Sequence, residues 1–145
     1  MIGILLITHN DLGDSLVDCV RHVMGAVPPN LKTLSVLAGD DPQRKEEEGR
    51  ALIAQLDTGD GVLLLADMFG ATPCNIARRL HQLGRTESVA GVNLPMLLRV
   101  VCYRDRPLTE VAQKALQGGR ECIVLLNDVM GKDNGPDATT RCADN

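Results

Sequence analysis

Aromatic side chains are nearly absent from this sequence. Its 145 residues include no Trp, one Phe at Phe69 and one Tyr at Tyr103. Few rings are therefore available to stack on an isoalloxazine or a base. No Gly-x-Gly-x-x-Gly motif follows the first apolar segment either. These absences disfavour a flavin or nucleotide module, and we expect no cofactor.

The sequence also lacks an excess of basic charge. It has 15 Lys and Arg against 19 Asp and Glu, with a net charge of −4 and a pI near 5.3. Because nucleic-acid-binding domains usually carry a basic patch, we expect no nucleic acid as the main partner. Two small basic spots remain, Arg78–Arg79 and Arg104 with Arg106. We interpret them as solvated helix and loop ends, with docking of an acidic protein as the alternative.

Long apolar runs are missing as well. Hydrophobic residues make up 44% of the chain, but no run approaches the roughly 20 residues that span a bilayer. The N-terminus enters an apolar segment at Ile2 without a basic leader, so no signal peptide is predicted. We expect a cytoplasmic protein that does not insert into a membrane.

What the sequence does contain is a regular alternation of short apolar runs and amphipathic segments. Apolar runs predict strands, and apolar positions spaced three to four residues apart predict helices. Asp41 and Thr72 are predicted helix caps, each followed by a proline at the first helical position. Gly25 is predicted to end the first helix. The predicted strands cover residues 2–7, 31–37, 61–66, 88–92 and 121–126, and the predicted helices cover 11–24, 42–56, 72–83, 95–102 and 108–116.

This alternation predicts an α/β fold, a three-layer αβα sandwich around a mostly parallel, doubly wound sheet. The expected strand order is 2-1-3-4, with the last strand at an edge. One domain is expected over residues 1–130, followed by a loosely ordered tail over residues 131–145. Ligands of such sheets bind beyond the carboxyl ends of the strands, where the strand order reverses.

Candidate site residues follow three of the predicted strands. If the order is right, His9 and Asp67 end neighbouring strands and can form a hydrogen bond. A carboxylate that accepts one imidazole N–H leaves the other nitrogen's lone pair free as a nucleophile. Gly70, Ala71 and Thr72 lead into a helix whose unpaired amides bind anions, and Asn93 ends the fourth strand. This arrangement is typical of a site at which a histidine receives a phosphoryl group.

Each candidate residue also has a purely structural interpretation. Capping alone explains Thr72, and a turn explains Asn93 or Asp67. His22 and His81 are expected to have surface or packing roles. Met68 and Phe69 fit either an apolar docking rim or half-buried packing, and the sequence does not decide between them.

Three separated segments resemble the mannose-class IIA domain of the sugar phosphotransferase system. They are Gly3–Asn10 (GILLITHN), Asp67–Ala77 (DMFGATPCNIA) and Gly91–Leu97 (GVNLPML), in the order of that family. The resemblance implies that the phosphocarrier HPr phosphorylates His9, which passes the group to a IIB component. It implies that Asp67 is the hydrogen-bond partner of His9 and that Thr72 takes the place of a family Ser or Thr near the site. It also implies a homodimer whose last strand pairs across subunits.

Two departures from the family are visible. Ala71 replaces the second of two glycines that often precede the Ser or Thr. The chain also stops after one domain, so we expect a separate protein as acceptor. That acceptor is a sugar-uptake IIB component, a regulatory target, or a partner in dihydroxyacetone phosphorylation, and the sequence leaves all three open.

Two rival sites use the same edge of the sheet. A signalling receiver domain would be phosphorylated on Asp67 and would hold Mg²⁺ with several carboxylates and a lysine after the last strand. Leu126–Asp128 contains no lysine, and Thr8–Asn10 offers no acidic cluster. A metal site of His9, Asp11 and Asp67 would lack a second histidine. We expect no metal.

Overall fold

The computed structural model describes residues 1–129, so the predicted tail over residues 131–145 lies outside the described residues. Strands and helices alternate along the chain up to Ala90, and helices follow. The strands are β1 (Gly3–His9), β2 (Leu31–Val36), β3 (Val62–Ala66) and β4 (Thr86–Ala90). The helices are α1 (Leu12–Met24), α2 (Pro42–Leu56), α3 (Thr72–Arg79), α4 (Leu94–Tyr103), α5 (Leu108–Glu121) and α6 (Leu126–Val129).

The four strands form one parallel sheet in the order β2-β1-β3-β4. This confirms the predicted α/β class and strand order. β1 and β3 lie in the centre, and their register pairs Ile7 with Ala66. The residues that follow these two positions therefore leave the sheet side by side.

The central strands are apolar throughout because both faces of the sheet are covered. On one face, Leu6 and Leu65 pack with side chains of α1, α4 and α5, including Val20 and Val111. On the other face, Leu64 and its neighbours pack against α2 and α3. The fully buried strands β1 and β3 are thus held between two hydrophobic clusters.

Two helix ends lie where the neighbouring residues in the sequence predicted them. Gly25 follows α1 with a φ of 85°, a left-handed conformation that glycine adopts without steric cost. The carboxylate of Asp41 accepts a hydrogen bond from the Gln43 backbone N–H at 3.1 Å, and Pro42 occupies the first turn of α2. Both helix boundaries could be predicted because they depend only on residues that are adjacent in sequence.

The prediction of a strand over residues 121–126 is wrong. Glu121 is the last residue of α5, and Leu126 is the first residue of α6. The error began at Gly118 and Gly119, which the sequence-based prediction placed beyond α5. In the fold they allow close packing, since a Cβ at either position would lie 2.7 Å from a side-chain atom of α4. Tertiary contacts therefore keep the helix going through two poor helix formers.

Smaller boundary errors occur around β4. Helix α3 ends at Arg79 rather than residue 83, and β4 covers 86–90 rather than 88–92. Leu83 extended the apolar pattern of the predicted helix, but it is 93% exposed and belongs to a turn. Within residues 1–129, no helix is long and apolar enough to cross a membrane.

The two-sided burial of β3 generates a stability prediction. Leu64 is fully buried in the sheet and Leu83 is almost fully exposed, so the same substitution can be compared at both positions. We expect Leu64→Ala to lower the free energy of unfolding by about 2–5 kcal/mol, because it leaves a cavity in a close-packed core. Leu83→Ala should change it by less than about 0.5 kcal/mol. Urea unfolding measures both values, and similar losses would contradict this packing of β3.

Candidate functional site

The site lies where β1 and β3 end at the same edge of the sheet. His9 is the last residue of β1, and Asp67 directly follows β3. Because the strands are parallel and paired in register up to Ile7 and Ala66, both side chains emerge beyond the carboxyl edge. This is the point where the strand order reverses, as the sequence predicted.

Asp67 holds His9 through two hydrogen bonds to one carboxylate oxygen. Oδ2 of Asp67 accepts from the backbone N–H of His9 at 2.9 Å and lies 2.7 Å from the ring atom Nδ1. The other oxygen, Oδ1, accepts from the backbone N–H of Met68 at 2.9 Å. The Asp67 side chain is only 9% exposed, whereas the His9 side chain is 45% exposed. The carboxylate thus lies beneath an accessible imidazole.

These contacts set the protonation of the pair. Burial alone would raise the pKa of Asp67, but the hydrogen bonds from the His9 backbone, the His9 ring and the Met68 backbone outweigh it. They hold the pKa of Asp67 below its ordinary 3.8. An ionised Asp67 can only accept, so Nδ1 of His9 is the donor, and in the neutral imidazole Nε2 then keeps its lone pair. In that tautomer Nε2 is the ring nitrogen with a free lone pair, on a side chain that is 45% exposed.

A depression of about 340 Å³ opens beside the imidazole. The residues that line it come from the ends of β1 and β2, the loops that follow them, and the starts of α2 and α3: His9, Asn10, Val36, Leu37, Ala38, Gly39, Asp40, Pro42 and Thr72. Asn10 and the loop after β2 belong to this depression, although they were not among the predicted site residues. The predicted strand order could have indicated them, because β2 lies next to β1 and the loop after β2 must reach the same edge of the sheet.

The loop after β2 is fixed by its own polar contacts. The carboxylate of Asp40 accepts from the Leu37 backbone N–H at 2.7 Å and lies 3.6 Å from Nζ of Lys45. Asn10 has a φ of 48°, a left-handed conformation that asparagine tolerates better than most residues. The loop after β2, which forms part of the wall of the depression, is thus a defined turn.

The start of α3 differs from the prediction at Thr72. The cap residue is Ala71, in an extended conformation, and no side chain caps the helix. The predicted capping role of Thr72 is therefore wrong, because the helix begins one residue earlier than the Ser/Thr-Pro pattern indicated. Thr72 lines the depression with His9 instead. Gly70, two residues before Thr72, has a φ of 84°, which a residue with a Cβ adopts only with strain.

Asn93 has a complete set of structural contacts. Its Oδ1 accepts from the Met96 backbone N–H at 2.9 Å and caps α4. Its Nδ2 donates to the Gly119 carbonyl at 3.1 Å and ties α4 to α5. Asn93 is not among the residues that line the depression, and its part in phosphoryl binding stays a prediction.

The other histidines and the metal-ligating side chains lie outside this arrangement. His22 is exposed on α1, and Nδ1 of His81 lies 3.4 Å from the Thr86 hydroxyl oxygen, after the end of α3. Among residues 1–129, no three His, Cys, Asp or Glu side chains are grouped so that they could hold a metal ion. His9 is the histidine that the fold joins to a buried carboxylate.

The fold and the residues at the carboxyl edge of the sheet define a doubly wound α/β domain with a histidine–aspartate pair where the strand order reverses. The family model described as "PTS system fructose IIA component" matches residues 3–117. The chain therefore belongs to the IIA component family of the sugar phosphotransferase system, a family of phosphotransferase components. The resemblance read from the three sequence segments is confirmed.

Curated relatives belong to the same system. The chain is 31% identical over 128 residues to the "PTS system mannose-specific EIIAB component" of Escherichia coli strain K12, a match that covers 86% of this chain and 39% of the relative. It is 30% identical over 106 residues to the "PTS system fructose-specific EIIA component" of Bacillus subtilis strain 168, with 72% of each covered. The chain thus spans about two fifths of the mannose-specific relative.

Solved structures share the fold. An EIIA component of the phosphotransferase system from Streptococcus agalactiae aligns with a TM-score of 0.79 at 20% identity, over 88% of this chain and 99% of that one. A mannose/sorbose-specific IIA subunit from Enterococcus faecalis aligns with a TM-score of 0.75 at 21% identity, over 86% and 93%. At these identities the likeness concerns the fold alone.

The lowered pKa of Asp67 predicts how its contribution to stability depends on pH. A carboxyl whose pKa is lower in the folded state stabilises the fold above its unfolded-state pKa, here near 3.8, and this contribution is lost as the pH falls through the folded-state pKa. We expect the stability difference between the native protein and Asp67→Asn to be larger at about pH 5 than at about pH 3. Urea unfolding at both pH values measures it.

Asp18→Asn is the matched control for this experiment. Asp18 forms an exposed pair with Arg21 on α1, and exposed pairs contribute little to stability. Its removal should change the free energy of unfolding little at either pH. A native–Asp67→Asn difference that stays constant or grows toward acid would contradict the assignment of Asp67 as the ionised partner of His9.

Proposed function

We propose that this protein is a phosphoryl carrier in which Nε2 of His9 accepts a phosphoryl group from phosphorylated HPr and passes it to a IIB component. The hydrogen bond between Nδ1 of His9 and Asp67 carries the proposal. It fixes the tautomer that leaves Nε2 bare, on an imidazole that is nearly half exposed. Membership of the IIA family supports the same role.

In the proposed transfer, the Nε2 lone pair forms a bond to phosphorus while the bond from phosphorus to the donor atom breaks. The donor atom keeps the electron pair of that bond. The Nδ1 proton stays between His9 and Asp67, so no proton has to leave the site. The ionised Asp67 stabilises the positive charge that develops on the imidazole ring.

The charges around the site keep the phosphoryl group transferable. At an effective dielectric of about 20, the Asp67 charge repels a phosphoryl charge about 6 Å away by roughly 3 kcal/mol. The N-terminus of α3 attracts an anion by roughly 0.3–2 kcal/mol. Backbone amides around Gly70, Ala71 and Thr72, with the Thr72 hydroxyl, are the proposed anion contacts. Because the repulsion offsets the attraction, the group is held without being trapped.

Phosphorylation of Asp67 itself, as in a receiver domain, has less support. Both oxygens of its carboxylate accept hydrogen bonds, and the side chain is almost buried. A nucleophile needs a free lone pair directed toward the incoming phosphorus. Nε2 of His9 meets that requirement better.

The pathway is proposed from the relatives rather than from the site. The curated relatives are named for mannose-specific and fructose-specific systems, which supports a IIB component of sugar uptake as the acceptor. A regulatory acceptor and dihydroxyacetone phosphorylation remain alternatives to it. We propose a cytoplasmic location, as the sequence predicted.

We also propose that the protein is a homodimer paired through residues 121–126. In the described chain this apolar stretch lies largely exposed, with Ile123, Leu125 and Leu126 among the exposed large hydrophobic residues. β4 is paired with β3 along one edge only. An apolar segment and a strand edge of this kind support pairing with a second copy.

Replacement of His9 tests the carrier function. We expect His9→Ala to gain no phosphoryl mass when mixed with phosphorylated HPr, because the only proposed acceptor atom is gone. His22→Ala should be labelled like the native protein, since His22 is exposed on α1 away from Asp67. Intact-protein mass spectrometry measures the label. Native-like labelling of His9→Ala would refute the proposal.

A charge within residues 121–126 tests the dimer. We expect the native protein to scatter light as a dimer and Leu125→Asp to scatter as a monomer, because the substitution buries an unpaired carboxylate in the proposed interface. Leu83→Asp is the control, since Leu83 is exposed in the turn before β4. A monomeric native protein would contradict this pairing and leave the carrier function standing.

A further inference from the structure

The segment that carries His9 is short and is bound to both neighbouring strands. The backbone N–H of His9 donates to the Asp67 carboxylate, which directly follows β3. The backbone N–H of Asn10 donates to the carbonyl of Val36, the last residue of β2, at 2.9 Å. These two bonds fix the segment from two sides, and a third bond fixes it to α1.

The third bond is formed by Thr8, the residue before His9. Its hydroxyl oxygen Oγ1 accepts from the backbone N–H of Gly13 at 2.8 Å. Gly13 is the second residue of α1, where a backbone N–H has no partner inside the helix. The cap residue Asp11 forms no side-chain capping bond within the described chain. Thr8 therefore supplies, from the end of β1, the acceptor that a cap side chain usually supplies.

Burial makes this bond hard to replace. Thr8 is 1% exposed, and Gly13 is buried as well, so water is not at hand as an alternative partner. The contact is also close, since a Cβ at Gly13 would lie 3.1 Å from Oγ1 of Thr8. The start of α1 is thus held at a fixed distance from the end of β1.

We propose that Thr8 is a positioning residue for phosphoryl transfer at His9. Its hydroxyl fixes the start of α1 against β1, and the backbone of His9 is held between these two points. Thr8 is not among the residues that line the depression, so it acts through His9 and not on the phosphoryl group. This inference rests on the proposed function and adds a residue to it.

The reason lies in the geometry of the imidazole. The ring reaches Asp67 through only two rotatable bonds, so a shift of the His9 backbone changes the distance of 2.7 Å between Nδ1 and Oδ2. A looser bond allows the tautomer with the proton on Nε2, which has no lone pair there for phosphorus. Misplacement by about 1 Å can lower a rate by about 100-fold. The hydroxyl of Thr8 thereby favours the tautomer that transfer needs.

The first test removes the hydroxyl and keeps the shape of the side chain. Thr8→Val places a methyl group where Oγ1 lies, and valine suits a strand. We expect the maximal rate of His9 labelling by phosphorylated HPr to fall at least about tenfold. The concentration of phosphorylated HPr that gives half of this rate should stay the same, because Thr8 is buried. Intact-protein mass spectrometry over time measures both quantities.

Thr86→Val is the matched control. Thr86 is also 1% exposed, and its hydroxyl accepts from the backbone N–H of Gln82 at 2.9 Å. It begins β4, at the edge of the sheet opposite His9. The same chemical change should therefore lower stability there while the labelling rate stays native, at a temperature where both variants are folded.

Two further measurements separate positioning from a loss of stability. The ¹⁵N signals of the His9 ring report which nitrogen carries the proton, and we expect Thr8→Val to increase the population protonated on Nε2. Thr8→Ser keeps the hydroxyl, so it should restore the native rate and the native signals.

Gly13→Ala disturbs the same bond from the other side, because its Cβ crowds Oγ1 of Thr8. It should change the labelling rate and the ring signals in the same direction as Thr8→Val. It also serves as the test if Thr8→Val does not fold.

The outcomes distinguish this inference from the carrier function. If the native protein takes no label on His9, the carrier function falls and this inference falls with it. If the native protein is labelled while Thr8→Val and Gly13→Ala keep the native rate and ring signals, this inference alone is overturned. An equal loss of labelling in Thr86→Val, or a Thr8→Ser variant as slow as Thr8→Val, also overturns it, because the effect would then not follow the Thr8 hydroxyl.

Discussion

The geometry of the candidate site depends on the hydrogen bond between His9 and Asp67. The two residues are 58 positions apart in sequence, and they meet because β1 and β3 are adjacent parallel strands in a fixed register. That register is held by apolar side chains buried on both faces of the sheet. The core therefore sets the distance between one imidazole and one carboxylate.

Much of this arrangement could be predicted from sequence, because the decisive signals are local or periodic. The apolar runs of β1 and β3 indicated central strands, and the helical spacing between them indicated crossover connections. Together they limited the strand order to one that places His9 beside Asp67. The Gly25 and Asp41 helix boundaries followed in the same way, since each depends on neighbouring residues only.

The errors arose where a contact with a distant element decides the local structure. Gly118 and Gly119 indicated a helix end, yet their missing side chains are what lets α5 lie against α4. Thr72 before proline matched a capping pattern, but the cap residue is Ala71, and Thr72 is the first residue of α3 and lines the depression. Asn93 was predicted to end the fourth strand, but β4 ends at Ala90 and Asn93 caps α4, and its bond to the Gly119 carbonyl depends on the packing of α5. No window of sequence contains these partners.

The two sides of His9 have opposite chemistry, and this separates two tasks that a phosphoryl carrier must perform. Toward β2, the depression offers polar contacts from Asn10, Asp40 and Thr72. Toward β4, the loop after Asp67 exposes apolar side chains and leads to a cleft beside Arg78. A phosphoryl group needs amides and hydroxyls, whereas a protein partner needs apolar area that excludes water. Asp67 anchors the imidazole from below through the backbone and the ring, and the His9 side chain stays 45% exposed between these two surfaces.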